Sequence, residues 1–455
     1  MVFASTSAVS AKYRVENGVA STDFTLPSGW AMLSFPDGII RMLRQQDQAA
    51  NPRRSSTSVR TQIGIGSCRI SPLAKQLVNE ALNANRLSAG PMMERFEQAI
   101  AELHGCRFGL MCNSGTSALH IALAAIKERE RWQDGDEVLV PAVTFIATSN
   151  VVLYNNLTPV FVDVEPDYFD IDPKDIERHI TPRTRAIMPV HVAGLPCDMD
   201  PILDIAARHR LSIVEDSAEA MFVRYRGRSV GSFSAIAGFS TYVAHLISTG
   251  VGGLCVTDDP EYWVMLRSLM NHGRDAIYTR IDDDRGLTGD QLFTVASRRF
   301  WFERPGFSFR VTELEAALGL AQLEERAANH ARRERIVARF MEGLAGLQTY
   351  LQLPAARPDT EHARMFFPIV VRDRMVSRDR IVQHLEDHAI ETRFLLPLIN
   401  QPLYRRMFGN LDARYPVAAH LNEHAFYIGC HPEMADDDVE YVIDCIHRFF
   451  RKPHA

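Results

Sequence analysis

Between residues 61 and 325, short runs of apolar and β-branched residues alternate with helical patterns. The runs are "FGLMC", "EVLVP", "PVFVDV", "AIMPVHV", "SIVED", "AGFSTYV" and "GGLCVT". Strands separated by helices pair in parallel, because each helix returns the chain to the starting edge of the sheet. The alternation therefore predicts an α/β fold, a doubly wound and mostly parallel sheet with helices on both faces.

Two further regions flank this one. Residues 1–60 form an N-terminal extension of unknown role, which ends in the polar stretch "NPRRSSTSVR", typical of a linker. After a long helical pattern, the strand-like runs "MFFPIVV" and "AIETRF" precede a C-terminal helical pattern. We predict a large domain over residues 61–325 and a small α+β domain over residues 326–455.

Composition restricts the partners. The 455 residues carry a net charge of −6 and no long run of like charge, which disfavours nucleic-acid and membrane surfaces. No signal peptide or membrane helix is recognisable, and the seven scattered cysteines include no CxxC pair. We expect a cytoplasmic protein with no membrane or nucleic-acid partner, no structural metal and no iron–sulfur cluster.

Ligands of such sheets bind beyond the carboxyl ends of the strands. After "FGLMC", a turn opens a helix with Gly115, Thr116 and Ser117 in its first turn. Amide groups, hydroxyls and the helix dipole could bind a phosphate there. A helix start that is merely capped explains the same pattern equally well.

Three other strand ends add candidates. Phe145 could stack on a planar ring, although a core phenylalanine explains it as well. Asp216 ends a buried strand and needs a cation or a donor, which a structural ion pair would also supply. Ser240 offers a further hydroxyl. Together, a phosphate site, a ring platform and an acid match the three parts of pyridoxal phosphate (PLP).

The ordered motifs carry a family resemblance. They are "GPMMERFEQAIAELHG", "CNSGTSALHIAL", "VPAVTFIATSNVVLYNNLTPVFVDVEPDYFDIDP", "PVHVAGLPCDMDPI", "VEDSAEA", "GSFSAIAGFS", "RSLMNHGR" and "RVTELEAALGLAQLE". Over about residues 65–450 the chain resembles the fold-type I, PLP-dependent sugar aminotransferases of the DegT/DnrJ/EryC1/StrS group. The resemblance implies a mostly parallel seven-stranded sheet in the large domain, and a homodimer.

The resemblance also implies roles for individual residues. Thr116 and Ser240 would contact the phosphate, Phe145 would stack on the ring, and Asp216 would bind the pyridine nitrogen. In the family, a motif similar to "GYNYR" reaches the phosphate from the partner subunit. Here the motif is "GFSFR", in which Ser308 and Arg310 would take that role.

His245 departs from the family pattern, because ordinary members have at this position the lysine that binds the cofactor covalently. The chain has only five lysines, Lys12, Lys75, Lys127, Lys174 and Lys452, and the sequence places none at a strand end near the inferred ring. Imidazole cannot form an imine, but it can accept and donate a proton near neutral pH. We expect the cofactor in its amine form, pyridoxamine phosphate (PMP), with glutamate as the amino donor.

Two more features make the chain resemble one branch of the family, the PMP-dependent sugar 3-dehydratases. Glu219 stands where typical aminotransferases have His or Gln, and "FYIGCHPEM" is similar to a C-terminal motif of the PMP-dependent sugar 3-dehydratases. One type of these dehydratases binds an iron–sulfur cluster through cysteines that follow soon after a segment similar to "NHGR". The corresponding stretch here contains no cysteine, so the chain resembles the cluster-free type.

The expected activity is that of a lyase in deoxysugar biosynthesis, a 3-dehydratase of a nucleotide-linked 4-keto-6-deoxyhexose with His245 as acid and base. Two alternatives remain open. The chain could be a nucleotide-sugar aminotransferase, weakened or inactivated by the change from lysine to histidine. It could also be a non-enzymatic paralogue that binds the cofactor or a nucleotide sugar.

Two weaker candidates lie in the small domain. Arg393 could bind a substrate carboxylate, and a surface salt bridge is the equal alternative. His384 and His388 lie one helical turn apart, a spacing that could bind a metal ion. Because the sequence shows no third ligand near them, we expect a solvated helix face and no metal.

Overall fold

The computed structural model describes residues 62–275, 284–372 and 376–451, and the backbone of two antiparallel strands, β1 and β2, at Lys12–Glu16 and Val19–Asp23. By its contacts the chain separates into a unit of residues 1–60 and a unit of residues 61–455. The rest of the N-terminal extension, including the "NPRRSSTSVR" linker, lies outside the described residues.

A seven-stranded sheet forms the centre of the larger unit, in the order β3-β11-β10-β7-β6-β4-β5. Strand β11 is antiparallel to both of its neighbours, and the other neighbouring pairs are parallel. The strands are β3 (Phe108–Cys112), β4 (Glu137–Pro141), β5 (Thr158–Val162), β6 (Thr184–Ile187), β7 (Ser212–Asp216), β10 (Ile236–Ser240) and β11 (Gly253–Thr257). Each overlaps one of the seven runs named above, although β5, β6 and β10 begin one or two residues before theirs. The predicted α/β fold is confirmed.

Helices pack around this sheet and connect it to the C-terminal region. The first half contains α1 (Pro72–Asn83), α2 (Pro91–Leu103), α3 (Gly115–Glu130), α4 (Ile146–Tyr154), α5 (Pro173–Ile176) and α6 (Met199–His209). The second half contains α7 (Pro260–Met270), α8 (Gly289–Ser297), α9 (Glu313–Gly343), α10 (Arg378–Asp387), α11 (Pro402–Phe408), α12 (Pro416–His424) and α13 (Asp436–Arg451). Among the described residues, no helix is apolar over a length that would span a bilayer.

A second, antiparallel sheet lies in the C-terminal region, in the order β12-β13-β15-β14. Its strands are β12 (Leu351–Gln352), β13 (Phe366–Val371), β14 (Thr392–Phe394) and β15 (Ala425–Gly429), and a separate short hairpin consists of β8 (Arg224–Tyr225) and β9 (Arg228–Ser229). Helix α9 begins at a capping box formed by Thr312 and Glu315. The predicted domain boundary at residue 325 falls inside this helix and remains a prediction.

A buried ion pair links the segment after β12 to the connection between β5 and α5. The Arg357 guanidinium donates through Nη1 to Oδ2 of Asp170 (2.8 Å) and through Nη2 to Oδ1 (3.0 Å). It also pairs with Glu165 and lies 4.0 Å from the centroid of the Tyr168 ring. Two parallel hydrogen bonds fix the geometry of both segments.

We expect Arg357→Met to reduce the free energy of unfolding by about 3–5 kcal/mol, because it leaves the Asp170 carboxylate buried without its cation. Urea denaturation measures the loss. Arg335→Met is the matched control, since Arg335 is exposed on α9. Equal unfolding midpoints for the two variants would contradict a structural role for the pair.

Candidate active site

Four strand ends meet at one edge of the large sheet. In the antiparallel register, Gly253 at the start of β11 lies opposite Cys112 on one side and opposite Ser240 on the other. Asp216, at the end of β7, lies beside Gly238 of β10. The carboxyl ends of β3, β7 and β10 therefore lie side by side, which is where sheets of this kind bind ligands.

Asp216 is buried at the centre of this edge, with 4% of its surface exposed. Its Oδ2 accepts a hydrogen bond from Thr148 Oγ1 (2.7 Å), and its Oδ1 accepts one from the backbone N–H of Ala218 (3.2 Å). Burial raises the pKa of Asp216, although both donors act to lower it. A cation beside the carboxylate would favour the ionised form further.

The start of α3 approaches the end of β10 closely. A Cβ atom on Gly115 would lie 2.8 Å from Cβ of Ser240, so only glycine fits between the two elements. Ser240 is thereby held beside the first turn of α3, which also carries the half-buried Thr116. The Ser117 N–H donates to the N-cap Ser114 Oγ (3.0 Å), and its hydroxyl oxygen accepts from that Oγ (2.9 Å).

Phe145 occupies the N-cap position of α4 and is 61% exposed, so it is not a core residue. Its carbonyl accepts a hydrogen bond from the N–H of Thr148 (3.1 Å), the residue that holds Asp216. The aromatic ring and the buried acid are therefore positioned by the same helical turn. An exposed ring in this place offers a face for stacking.

Glu219 adds a second buried acid to this edge. Burial raises its pKa to about 8; the N–H of Ala193, which donates to Oε2 (2.7 Å), opposes the rise, and the charge of Asp216 adds to it. At neutral pH the carboxyl is therefore mostly protonated and can donate a hydrogen bond.

The "GFSFR" segment lies near the end of β3. The N–H of Asn113 donates to the carbonyl of Phe309 (2.8 Å), between Ser308 and Arg310. Both of these side chains are exposed, and Arg310 donates through Nη2 to Ser308 Oγ (3.0 Å). Their contact with the cofactor of a partner subunit remains a prediction.

Arg393 lies on β14, opposite Tyr427 in the register of the small sheet. It forms an ion pair with Glu391 and donates to the carbonyl of Thr392 (2.7 Å). Burial raises the pKa of Tyr427; the charge of Glu219 adds to the rise, and that of Arg393 opposes it. This edge of the small sheet is thus within electrostatic reach of Glu219.

His245 lies on the loop between β10 and β11, and its N–H donates to the carbonyl of Tyr242 (2.9 Å). Its ring faces a narrow pocket that Gln322, Asn329 and Arg333 of α9 help to line. Burial lowers the pKa of His245 to about 4, and the Arg333 charge lowers it further, so the imidazole is neutral. Within the described residues, His245 makes no hydrogen bond to Asp216.

Sequence reasoning missed two residues of the site. Thr148 is part of the "VTFIAT" motif, and a hydroxyl one turn after an exposed aromatic residue could have indicated it. Tyr427 lies in the "FYIGCHPEM" motif, but only the pairing of β14 with β15 brings it opposite Arg393.

Comparison with known proteins agrees with this geometry. Residues 69–447 match the DegT/DnrJ/EryC1/StrS aminotransferase family, and the chain belongs to that family. Its members depend on PLP or PMP, and the buried acid, the start of α3 and the exposed aromatic ring fit the parts of that cofactor.

Individual relatives are named either as synthases of an amino sugar or as sugar 3-dehydratases. GDP-perosamine synthase of Caulobacter vibrioides is 36% identical over 73% of this chain and 83% of its own length. A dTDP-4-dehydro-2,6-dideoxy-D-glucose 3-dehydratase of Saccharopolyspora spinosa is 34% identical over 83% of this chain and 84% of its own. The structure of E. coli GDP-4-keto-6-deoxy-D-mannose-3-dehydratase with bound hydrated PLP superposes with a TM-score of 0.77 at 23% identity, covering 85% of this chain and all of that one.

We expect Asp216→Asn to weaken binding of PMP by about 10–100-fold, because a charge-assisted hydrogen bond to the ring nitrogen is lost. Titration followed by cofactor fluorescence measures the dissociation constant. Asp412→Asn, which removes a surface acid paired with Arg405, should bind PMP like the unaltered protein. Equal affinities for all three proteins would exclude Asp216 as the ring acid.

The raised pKa of Glu219 also predicts a pH dependence of stability. The ordinary pKa of this glutamate is 4.5, and in the folded chain it is about 8. Between these two pH values the unfolded chain has lost the Glu219 proton that the folded chain retains. The free energy of unfolding should therefore fall as pH rises through this window, by at most about 1.4 kcal/mol per pH unit.

The measurement is urea denaturation between pH 5 and pH 8 without added cofactor. Glu219→Gln should flatten this decline, and Glu423→Gln, which alters an exposed side chain, should leave it unchanged. A decline of the same slope in all three proteins would show that Glu219 is not the group responsible.

Proposed function

We propose that this chain is a PMP-dependent 3-dehydratase that acts on a nucleotide-linked 4-keto-6-deoxyhexose. The observation that carries the proposal is His245 at the position where the family has its cofactor-binding lysine. Lys75 and Lys174 are exposed, and Lys127 binds Asp134 and the carbonyl of Asn155.

The cofactor, once bound, supplies the amine that condenses with the sugar ketone and the ring that accepts electrons. Asp216 would hold the ring nitrogen protonated, Phe145 would cover one ring face, and Thr116 and Ser240 would bind the phosphate. Gly115, Ser117 and the protonated carboxyl of Glu219 would complete the cofactor site.

His245 would move the proton. Its neutral imidazole could accept a proton through the ring nitrogen that carries the lone pair. The same low pKa makes the protonated ring a ready donor to the departing C3 hydroxyl. This role requires the imidazole to turn from the pocket beside Gln322 and Arg333 toward Asp216.

We further propose an amino donor and a dimeric assembly. Glutamate would regenerate the amine form, and Arg393 would bind its carboxylate or that of another ligand. A homodimer in the cytoplasm would place Ser308 and Arg310 of each subunit near the partner's cofactor.

Aminotransfer to the same class of sugar is the second candidate, and the 36% identity to GDP-perosamine synthase favours it. The two reactions separate at the C3 hydroxyl, which dehydration removes and transamination retains. A protein that binds PMP without turnover is the third possibility.

We expect the protein, incubated with PLP and glutamate and then with a GDP-linked 4-keto-6-deoxyhexose, to release ammonia and a 3-deoxy-4-ketosugar. Mass spectrometry of the sugar and an ammonia assay measure this. His245→Lys should instead fix the cofactor to the chain, where borohydride reduction traps it, and should shift the product toward an amino sugar.

His245→Asn is the matched control and should bind PMP but lose turnover by at least about 100-fold, the range of general acid–base catalysis. A stable amino sugar from the unaltered protein would establish the aminotransferase instead. Tight binding of PMP without any product would favour the binding protein.

A further inference from the structure

Three side chains with metal-binding chemistry converge in the C-terminal region, remote in sequence from the cofactor site. His384 lies on α10, His388 immediately follows that helix, and Cys445 lies on α13. One atom from each, an imidazole nitrogen or the thiol sulfur, lies within 4.8 Å of the other two. Within the described residues, this is the group of three whose spacing would suit a metal ion.

The distances suit a tetrahedral ion. With Zn–S near 2.3 Å and Zn–N near 2.0 Å, ligand atoms lie about 3.5 Å apart. The distance between Cys445 Sγ and His384 Nε2 is 3.4 Å, and the centroids of the two imidazole rings are 4.3 Å apart. Small rotations of the side chains would bring the third atom to the same spacing.

A backbone contact orients His388. Its Nδ1 lies 2.7 Å from the carbonyl oxygen of His384, so Nδ1 carries the proton and Nε2 carries the lone pair. Metal-binding histidines are usually held in this way, with one nitrogen bound to a carbonyl and the other presented to the ion. The carbonyl groups at the end of α10 also favour a positive charge there.

Cys445 supplies the soft ligand. Its side chain is fully buried, and its Sγ lies beside Nε2 of His384, at 3.4 Å. His384 Nε2 also donates its proton to the carbonyl oxygen of Cys445 (3.1 Å), so metal binding through Nε2 would require this proton to move to Nδ1 and would break that hydrogen bond. Two imidazoles and a thiolate form a donor set that selects ions such as Zn²⁺ over Mg²⁺ or Ca²⁺.

We propose that His384, His388 and Cys445 form a site for a thiophilic divalent metal ion of the Zn²⁺ class, with water at the fourth position. The sequence alone predicts no metal here, because the third ligand comes from a helix far along the chain. The ion would join α10 to α13 and thereby stabilise the small sheet that carries Arg393. The site is independent of the reaction proposed above.

Cobalt(II) provides the test, because a thiolate ligand gives it a near-ultraviolet charge-transfer band and tetrahedral geometry gives strong visible bands. We expect the full-length protein, freed of metal and then titrated with Co²⁺, to develop both sets of bands with one ion per chain. Zn²⁺ added afterwards should remove them by displacement.

Cys445→Ser should abolish the charge-transfer band, and His388→Gln should weaken Co²⁺ binding by more than about tenfold. His388 is partly exposed, so its variant tests the site even if Cys445→Ser fails to fold. His420→Gln is the matched control, since His420 and His424 also lie one helical turn apart, with ring centroids 4.4 Å apart, but without a cysteine.

The His420→Gln control should retain the charge-transfer and visible bands of bound Co²⁺ at full intensity. An unaltered protein that develops no charge-transfer band, or a band that persists in Cys445→Ser with undiminished affinity in His388→Gln, would overturn the proposal. Neither readout depends on PMP or on turnover, so failure of the metal site and failure of the proposed reaction are distinguishable.

Discussion

The buried carboxylate of Asp216 is the constraint on which the site depends. Its neighbour Glu215 is fully buried but accepts hydrogen bonds from the backbone of Gly231 and Phe233 and from Ser234, and contacts His191 at 3.2 Å. These contacts lower the pKa of Glu215 despite its burial. Within the described residues, Asp216 accepts from two donors and its pKa is raised, so a cationic ligand would stabilise its charged form.

Elements from both sheets meet at the edge of the large sheet that carries Asp216. The short β10, with Gly238 beside Asp216, brings Ser240 against the start of α3, where Gly115 permits the contact. The small sheet approaches the same edge, because Val143 after β4 pairs with Pro397 after β14. Groups that recognise a cofactor and groups that could recognise its substrate are therefore contributed by different sheets.

The relatives show why overall identity does not decide the reaction. A synthase of an amino sugar and a 3-dehydratase match this chain about equally well, at 36% and 34% identity. Identity over hundreds of residues reports the scaffold, whereas the chemistry depends on the group that moves protons at the cofactor. Under the proposed function that group in this chain would be His245, and imidazole differs from an amine in its inability to form an imine with the cofactor.

Local patterns in the sequence determined the seven strands and the strand-end candidates Asp216 and Ser240, because a strand and its end depend on neighbouring residues. His245 was indicated by its departure from the family pattern. Tertiary packing alone decided that Thr148 holds Asp216 and that burial raises the pKa of Glu219. It also decided that the His245 ring faces α9 and that Cys445 joins His384 and His388. These outcomes depend on burial and on contacts between residues far apart in the chain, which no local pattern encodes.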